Sequence, residues 1–231
     1  MRRSRYRNAP GIFLVITFVG IVGYLLGWSK ALEIRHIEIF AAGNEALVTP
    51  VLVPNDLHLG LPMARISNRR IIHDLARFTW VRDIKIDRRW LAHDVKITIS
   101  KRKAVAQYVD GQGVTQYFDA NGYNFTTPNP PTGIPTINFT QEGVESRGSV
   151  ATFLAQTPAD ITANMSGLDV DAHNQISLRT RLAGYANLSI AWGSASDLAL
   201  KVQVLRRILA LPENKKIVSV DLSNPLTPVV K

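Results

Sequence analysis

There is no cysteine among the 231 residues. That excludes a disulfide framework, a thiolate nucleophile and a thiolate metal site. Any part of the chain exported from the cytoplasm must then be held by its core alone. A chain of this length can do so, because about 70% of its unfolded surface can be buried. Acidic residues are scarce as well: 18 Asp and Glu stand against 27 Lys and Arg, for a net charge of +9. The excess is uneven. Arg2, Arg3, Arg5 and Arg7 contribute +4 with no acid among them, residues 30–103 contribute +6, and residues 104–231 contribute −1.

The longest absence is of charge itself. No charged residue occurs from Asn8 to Ser29, and Gly11 to Trp28 is an apolar run of 18 residues. As a helix at about 1.5 Å per residue it reaches roughly 27 Å, close to the hydrocarbon thickness of a bilayer. Tyr24 and Trp28 mark one end, where aromatic rings favour the interface, and the four arginines flank the other. The positive-inside rule puts the N-terminus in the cytoplasm and everything after Lys30 outside. A cleaved signal peptide is the competing reading. Its apolar region is usually about 7–15 residues, and Ser29-Lys30-Ala31 is a poor cleavage site. The expectation is therefore a cytoplasmic tail over 1–9 and a membrane helix over 10–29. Membrane lipid is its surrounding, and nucleic acid is not a partner.

Catalytic constellations are missing too. The histidines His36, His58, His73, His93 and His173 never fall at His-x-x-x-His spacing, the spacing that would put two ligands on one helical face. There is no Gly-x-Ser-x-Gly. Gly111-Gln-Gly113 lacks the rest of a phosphate loop and reads as a hairpin turn. Asp169 and Asp171 are too few for a calcium loop and read as turn residues. No catalytic residue, metal site or cofactor is expected. A basic cluster, Arg82, Lys85, Arg88, Arg89, Lys96, Lys101, Arg102 and Lys103, has two readings. It could attract an anionic surface or partner, or it could be the solvated face of a half-buried sheet.

What is present reads as α+β. Leu32 to Ile39 alternates with one phase shift, as a strand does. Thr49-Pro50 suits a helix start, and Pro54 limits that helix to one turn. Ile66 to Phe78 puts Ile71, Ile72, Leu75 and Phe78 on one helical face. Val81 to Ile86 and Val95 to Ser100 read as strands. A three-stranded sheet covered by two helices would bury one face of each element. After Ala104 turns become frequent. Candidate strands are Val105–Val109, Val114–Phe118, Gly167–Val170, Ile176–Thr180, Leu188–Trp192 and Lys216–Leu222. Gly148–Gln156 reads as a short helix. A longer one places Leu198, Val202, Leu205 and Leu209 on one face, capped by Ser194 or Ser196.

Certain short signals recur in a fixed order: Ile37-Glu-Ile39 into Gly43-Asn44; Gly60-Leu-Pro-Met63; Trp80-Val-Arg-Asp-Ile-Lys-Ile-Asp-Arg-Arg-Trp90; Val95-Lys-Ile-Thr-Ile99; Val105-Ala106; Phe118-Asp-Ala-Asn-Gly122; Ile134-Pro135; Trp192-Gly193; Lys201; and Val220-Asp-Leu222. In that order, behind one anchor, they resemble the FtsQ/DivIB family of bacterial cell-division proteins. The sequence departs from the family pattern at Leu91, where the family has proline, at Ser100-Lys-Arg-Lys-Ala104 and at Ser223.

The resemblance implies a POTRA domain (strand-helix-helix-strand-strand) over 32–101. It also implies a mixed, mainly antiparallel β-domain over 104–231, with a late helix and a C-terminal strand. It implies a non-enzymatic divisome scaffold in the cell membrane at the septum, bound to FtsB/DivIC-type and FtsL-type partners and indirectly to the septal peptidoglycan synthase. By strand addition, the open edge would be offered by Ile217, Val218, Ser219, Val220, Asp221, Leu222, Ser223 and Asn224. Other classes consistent with the residues are an exported wall-acting enzyme and another POTRA-type assembly protein.

Overall fold

The computed structural model describes residues 9–28, 32–53, 57–182 and 184–231. The chain forms two compact units, Met1–Lys101 and Arg102–Lys231. Both are mixed α and β.

The first unit opens with helix α1, Ala9–Trp28. Its side chains are described from Gly11 to Tyr24, and the large apolar ones, Ile12 to Ile21 and Tyr24, are more than half exposed. Among the described residues no helix is long and apolar enough to cross a membrane. Strand β1, His36–Phe40, begins later than the alternation predicts. Residues 33–36 instead bond to two turns: the Ile34 N–H donates to the Leu61 carbonyl, and those of Arg35 and His36 donate to the His93 carbonyl.

Helix α2, Glu45–Leu52, corrects the predicted start at Thr49-Pro50. It begins a turn earlier, where the Glu45 carboxylate accepts the N–H groups of Ala41 and Gly43. These bonds hold the Glu45 carboxyl below its ordinary pKa. Pro50 therefore lies inside the helix. Helix α3, Asn68–Leu75, is shorter than the pattern predicts and is capped by Ser67, whose Oγ accepts the Arg70 N–H at 3.3 Å. Ile71 and Leu75 are buried, but Ile72 is exposed. Strands β2, Val81–Arg89, and β3, Asp94–Lys101, form an antiparallel hairpin, and β1 lies parallel to β3, giving the order β1-β3-β2.

The hairpin shows what surrounds the basic cluster. On the open face the rows run His36–Asp94–Arg89, Glu38–Lys96–Asp87 and Phe40–Thr98–Lys85. Arg89 pairs with Asp94 and Glu38, Lys85 pairs with Asp87 at 3.2 Å, and Lys96 lies over the Phe40 ring. Arg88 points to the other face and bonds the Ile66 carbonyl and Asn68. Within the cluster Lys85 and Arg89 are ion-paired, Arg88 and Lys96 have neutral partners, and Arg82, Lys101 and Lys103 are exposed.

The second unit starts with a three-stranded antiparallel sheet of β4, Ala106–Val109, β5, Thr115–Phe118, and β6, Asn124–Phe125. The Asp119–Gly122 turn between β5 and β6 is locked from several sides. Asp119 accepts the N–H groups of Asn121 and Tyr123 and pairs with Arg102 at 2.8 Å. The Arg102 guanidinium lies 3.7 Å from the Tyr123 ring centroid. Gly122 has φ +73°, and a Cβ there would come within 2.8 Å of the Gly148 nitrogen, so only glycine fits.

Then follow β7, Ile137–Phe139, α4, Val144–Gln156, α5, Ala159–Thr162, β8, Met165–Val170, β9, Ile176–Leu182, β10, Tyr185–Gly193, and α6, Leu198–Ala210. The chain closes with β11, Ser219–Asp221, and β12, Val229–Val230. The six-stranded sheet runs β12-β11-β10-β9-β8-β7, parallel at β7/β8 and β10/β11 and antiparallel elsewhere. One face meets α4 and α6. Leu168, Leu178, Ile190, Trp192 and Val220 pack there with Phe153, Val202 and Leu205, and Phe153 sits edge-on to Trp192 at 5.4 Å. Of the two predicted turn residues, Asp171 lies in the turn after β8 and accepts the N–H groups of His173 and Gln175, whereas Asp169 lies within β8, where it binds Asn138 and Arg179.

Candidate partner-binding edge

Strand β10 is the longest of the second sheet, and β11 lies on it in parallel, Ser189 opposite Ser219 and Ala191 opposite Asp221. A parallel neighbour needs a crossover, and α6 supplies it. Three contacts fix how this crossover delivers β11. Buried Lys201 donates from Nζ to the carbonyls of Trp192, at 2.7 Å, and Ser194, at 2.8 Å. Burial lowers the pKa of its ammonium, and Asp197 opposes that shift. At the far end of α6, the Tyr185 hydroxyl donates to the carbonyls of Leu209 and Asn214. Gly193, with φ +71°, lets the chain pass Ser223, whose Cα would lie 2.9 Å from any Cβ at 193. The predicted serine cap of α6 is corrected. The N-cap is Asp197, at φ +52° with no side-chain cap bond, while Ser194 and Ser196 bond each other.

The predicted site residues separate into different environments. Val220 and Leu222 are buried core residues, and Ile217 packs partly on the same core. Val218 is 64% exposed. Ser219 is half-buried, and Asp221, Ser223 and Asn224 are exposed.

The expected open edge at this strand is overturned. On one side the Ser189 N–H donates to the Val218 carbonyl and the Leu222 N–H to the Ala191 carbonyl. On the other, β12 pairs antiparallel with β11, Val220 opposite Val230 and Asp221 opposite Val229. The Lys231 carbonyl accepts the N–H groups of Val218 and Ser219, and the Lys231 N–H donates to the Ser219 carbonyl. The turn that brings β12 back is built from Asp221, Asn224 and Pro225, with carboxylate and amide oxygens accepting the N–H groups of Ser223 and Leu226. No periodic signal in the sequence marks a strand of two residues after Pro228; a proline two residues before the midpoint of such a pair is compatible with an edge position.

The edge thus lies one strand further out. In an antiparallel ladder successive residues turn their polar groups to opposite sides. Since Ser219 and Lys231 exchange both of their bonds, the N–H and C=O of Val230 point away from β11. Around them are uncovered apolar side chains: Leu226 is 80% exposed, Val229 52% and Val230 39%. With Val218 they form a short apolar rim beside an unpaired main chain. Among the described residues no group of three His, Asp or Glu is placed to hold a metal ion.

Residues 106–223 match the family model of the FtsQ/DivIB cell-division protein C-terminal region. The chain belongs to the FtsQ/DivIB family. The match covers the second unit as far as Ser223 and stops before β12. A curated relative, the cell-division protein FtsQ of Mycobacterium leprae (strain Br4923), is 24% identical over 239 residues. That alignment takes in 99% of this chain and 65% of the relative, so the chain spans just under two thirds of the relative's length. Among solved structures, the major extracytoplasmic domain of the trans isomer of DivIB from Geobacillus stearothermophilus matches 49% of this chain and 96% of that one, at 17% identity and a TM-score of 0.32. A likeness at that score carries no argument here. The family signals have plain physical roles in this FtsQ/DivIB chain. Asp119 and Gly122 lock a turn, and Gly193, Lys201 and the Val220–Leu222 strand together set where the last strands of the sheet lie.

Proposed function

We propose that this chain is a non-enzymatic, membrane-anchored scaffold of the divisome that captures a partner by strand addition at its outermost strand, β12. Membership of a cell-division family sets the process. The observation that carries the binding mode is the free edge of Val230, rimmed by Val218, Leu226 and Val229. An unpaired N–H and C=O supply main-chain bonds, and alternate side chains of an added strand meet the apolar rim. Family resemblance names the partner: the tail of an FtsB/DivIC-type protein, itself coupled to an FtsL-type protein and through them to the septal peptidoglycan synthase. The residues proposed first for this role, Ile217 to Asn224, serve as the platform that holds β12.

The anchor in this reading is α1. Its backbone is helical for 20 residues, about 30 Å at the usual rise, and no charge lies between Asn8 and Ser29. Its large apolar side chains Ile12 to Ile16, Phe18, Val19, Ile21 and Tyr24 are uncovered, as a lipid-facing helix requires. By the positive-inside rule, the arginines before it put the N-terminus in the cytoplasm and the chain after Lys30 outside. The first unit, with its order β1-α2-α3-β2-β3, is the POTRA domain of this reading.

Two variants test the edge. Val230→Pro removes the outward N–H, and Leu226→Asp puts a charge on the rim. Each is expected to weaken binding of a synthetic FtsB/DivIC-type tail to the full-length detergent-solubilised protein by about tenfold or more, roughly 1.4 kcal/mol, with thermal unfolding unchanged. Wild-type affinity in both, by calorimetry, would refute the site.

A further inference from the structure

Only a few residues separate α1 from the first fixed point of the sheet region. Helix α1 ends at Trp28, and by Glu33 the chain is already fixed to the first unit. Glu33 bridges Pro62, and its carbonyl lies 3.1 Å from His93 Nδ1. The Ile34 carbonyl accepts the Gly60 N–H, and its N–H donates to Leu61. Residues 33–36 therefore run between two turns, one at Leu59-Gly60 and one at Trp90–His93.

Both turns present a large apolar side chain to solvent. Leu59 is 63% exposed and Leu91 is 95% exposed. Leu91 stands in the 3-10 turn Trp90–Ala92 that joins β2 to β3, ended by His93 in the left-handed region at φ +56°. The register sets which end this is: Arg89 and His36 both lie opposite Asp94. The tip, the start of β1 and the Leu59 turn therefore share one end of the three-stranded sheet, the end nearest in chain to α1. Five residue steps separate Trp28 from Glu33, a reach of at most about 17 Å. The headgroup layer alone is roughly 6 Å thick on each side.

We infer that this end of the first unit is a membrane-contact surface, with Leu91 and Leu59 seated at the boundary between headgroups and acyl chains of the leaflet from which the chain emerges. The inference rests on α1 being the anchor. The proposed contact is apolar, so phospholipid of no net charge suffices; Arg88 is engaged with Ile66 and Asn68 and Arg89 with Asp94 and Glu38, and Arg35, exposed at the same end, is the cation that high salt screens. Contact here is apolar insertion, and it makes the first unit lie on the bilayer instead of swinging on its tether.

The chain has no cysteine, so single-cysteine labels can be placed at will. Leu91→Cys, Gly20→Cys and Arg82→Cys would be made in the full-length chain, labelled with an environment-sensitive fluorophore and reconstituted into phosphatidylcholine nanodiscs carrying acyl-chain spin-labelled lipid. Arg82 is the control, seven strand residues from Arg89 and so about 23 Å further from the tip. Quenching at 91 several-fold stronger than at 82, unchanged in high salt, supports the contact. With 20 strongly quenched, equal quenching at 91 and 82 overturns the contact and leaves the anchor standing. Quenching at 91 that disappears in high salt overturns the apolar assignment. No quenching at 20 removes the anchor, and the inference with it.

Discussion

The sheet of the first unit and the last two strands of the second solve opposite problems. Residues 30–103 carry six excess positive charges, yet on the open face of the first sheet Lys85 pairs with Asp87 along β2 and Arg89 pairs with Asp94 and Glu38 across strands. Residues 104–231 are almost neutral, and the apolar side chains beside β12 are uncovered. Net charge alone therefore does not mark the edge proposed for binding. Acidic neighbours in the sheet pair with some cations that look free along the chain, while an unpaired edge needs no charge at all.

The sharpest way to break this comparison is within the second unit, between strand and edge. Val220 is a core residue of β11 and not a contact residue. Val220→Asp buries an unpaired carboxylate and is expected to cost about 4 kcal/mol of stability in urea unfolding. Any loss of partner binding by that variant follows from unfolding, whereas the Val230 and Leu226 variants leave stability intact. A stable, folded Val220→Asp protein would mean that β11 is not held as described.

At the other extreme stands the first sheet. Lys85 is largely exposed and pairs with Asp87 at 3.2 Å. Lys85→Ala is expected to change stability by no more than about 0.5 kcal/mol, since exposed pairs contribute little and are screened by salt. It should leave partner binding unaltered. A large loss of affinity would restore the basic face as a working surface.

Regular elements were the legible part of this chain. Val95 to Ser100 alternates cleanly because one face of β3 is buried, and Val95, Ile97 and Ile99 fill it. Leu198, Val202 and Leu205 recur at helical spacing because α6 crosses over the sheet. Exceptions came where local bonding overrides pattern. Helix α2 starts at Glu45 because that carboxylate holds the preceding turn, so Pro50 falls inside the helix and not at its first position. The edge at Val229-Val230 was illegible for a different reason. Two residues have no period, and their pairing depends on the Asn224-Pro225 turn and on Gly193 letting Ser223 approach β10. Alternation located β11 but could not tell an edge strand from a covered one.

Amide hydrogen exchange on the full-length protein, with and without an FtsB/DivIC-type tail, addresses the edge most directly. The account predicts that the amide of Val230 gains protection when the tail binds, while that of Val220, already inside the sheet, changes little. Protection confined to other surfaces, with Val230 exchanging as fast as before, would contradict it.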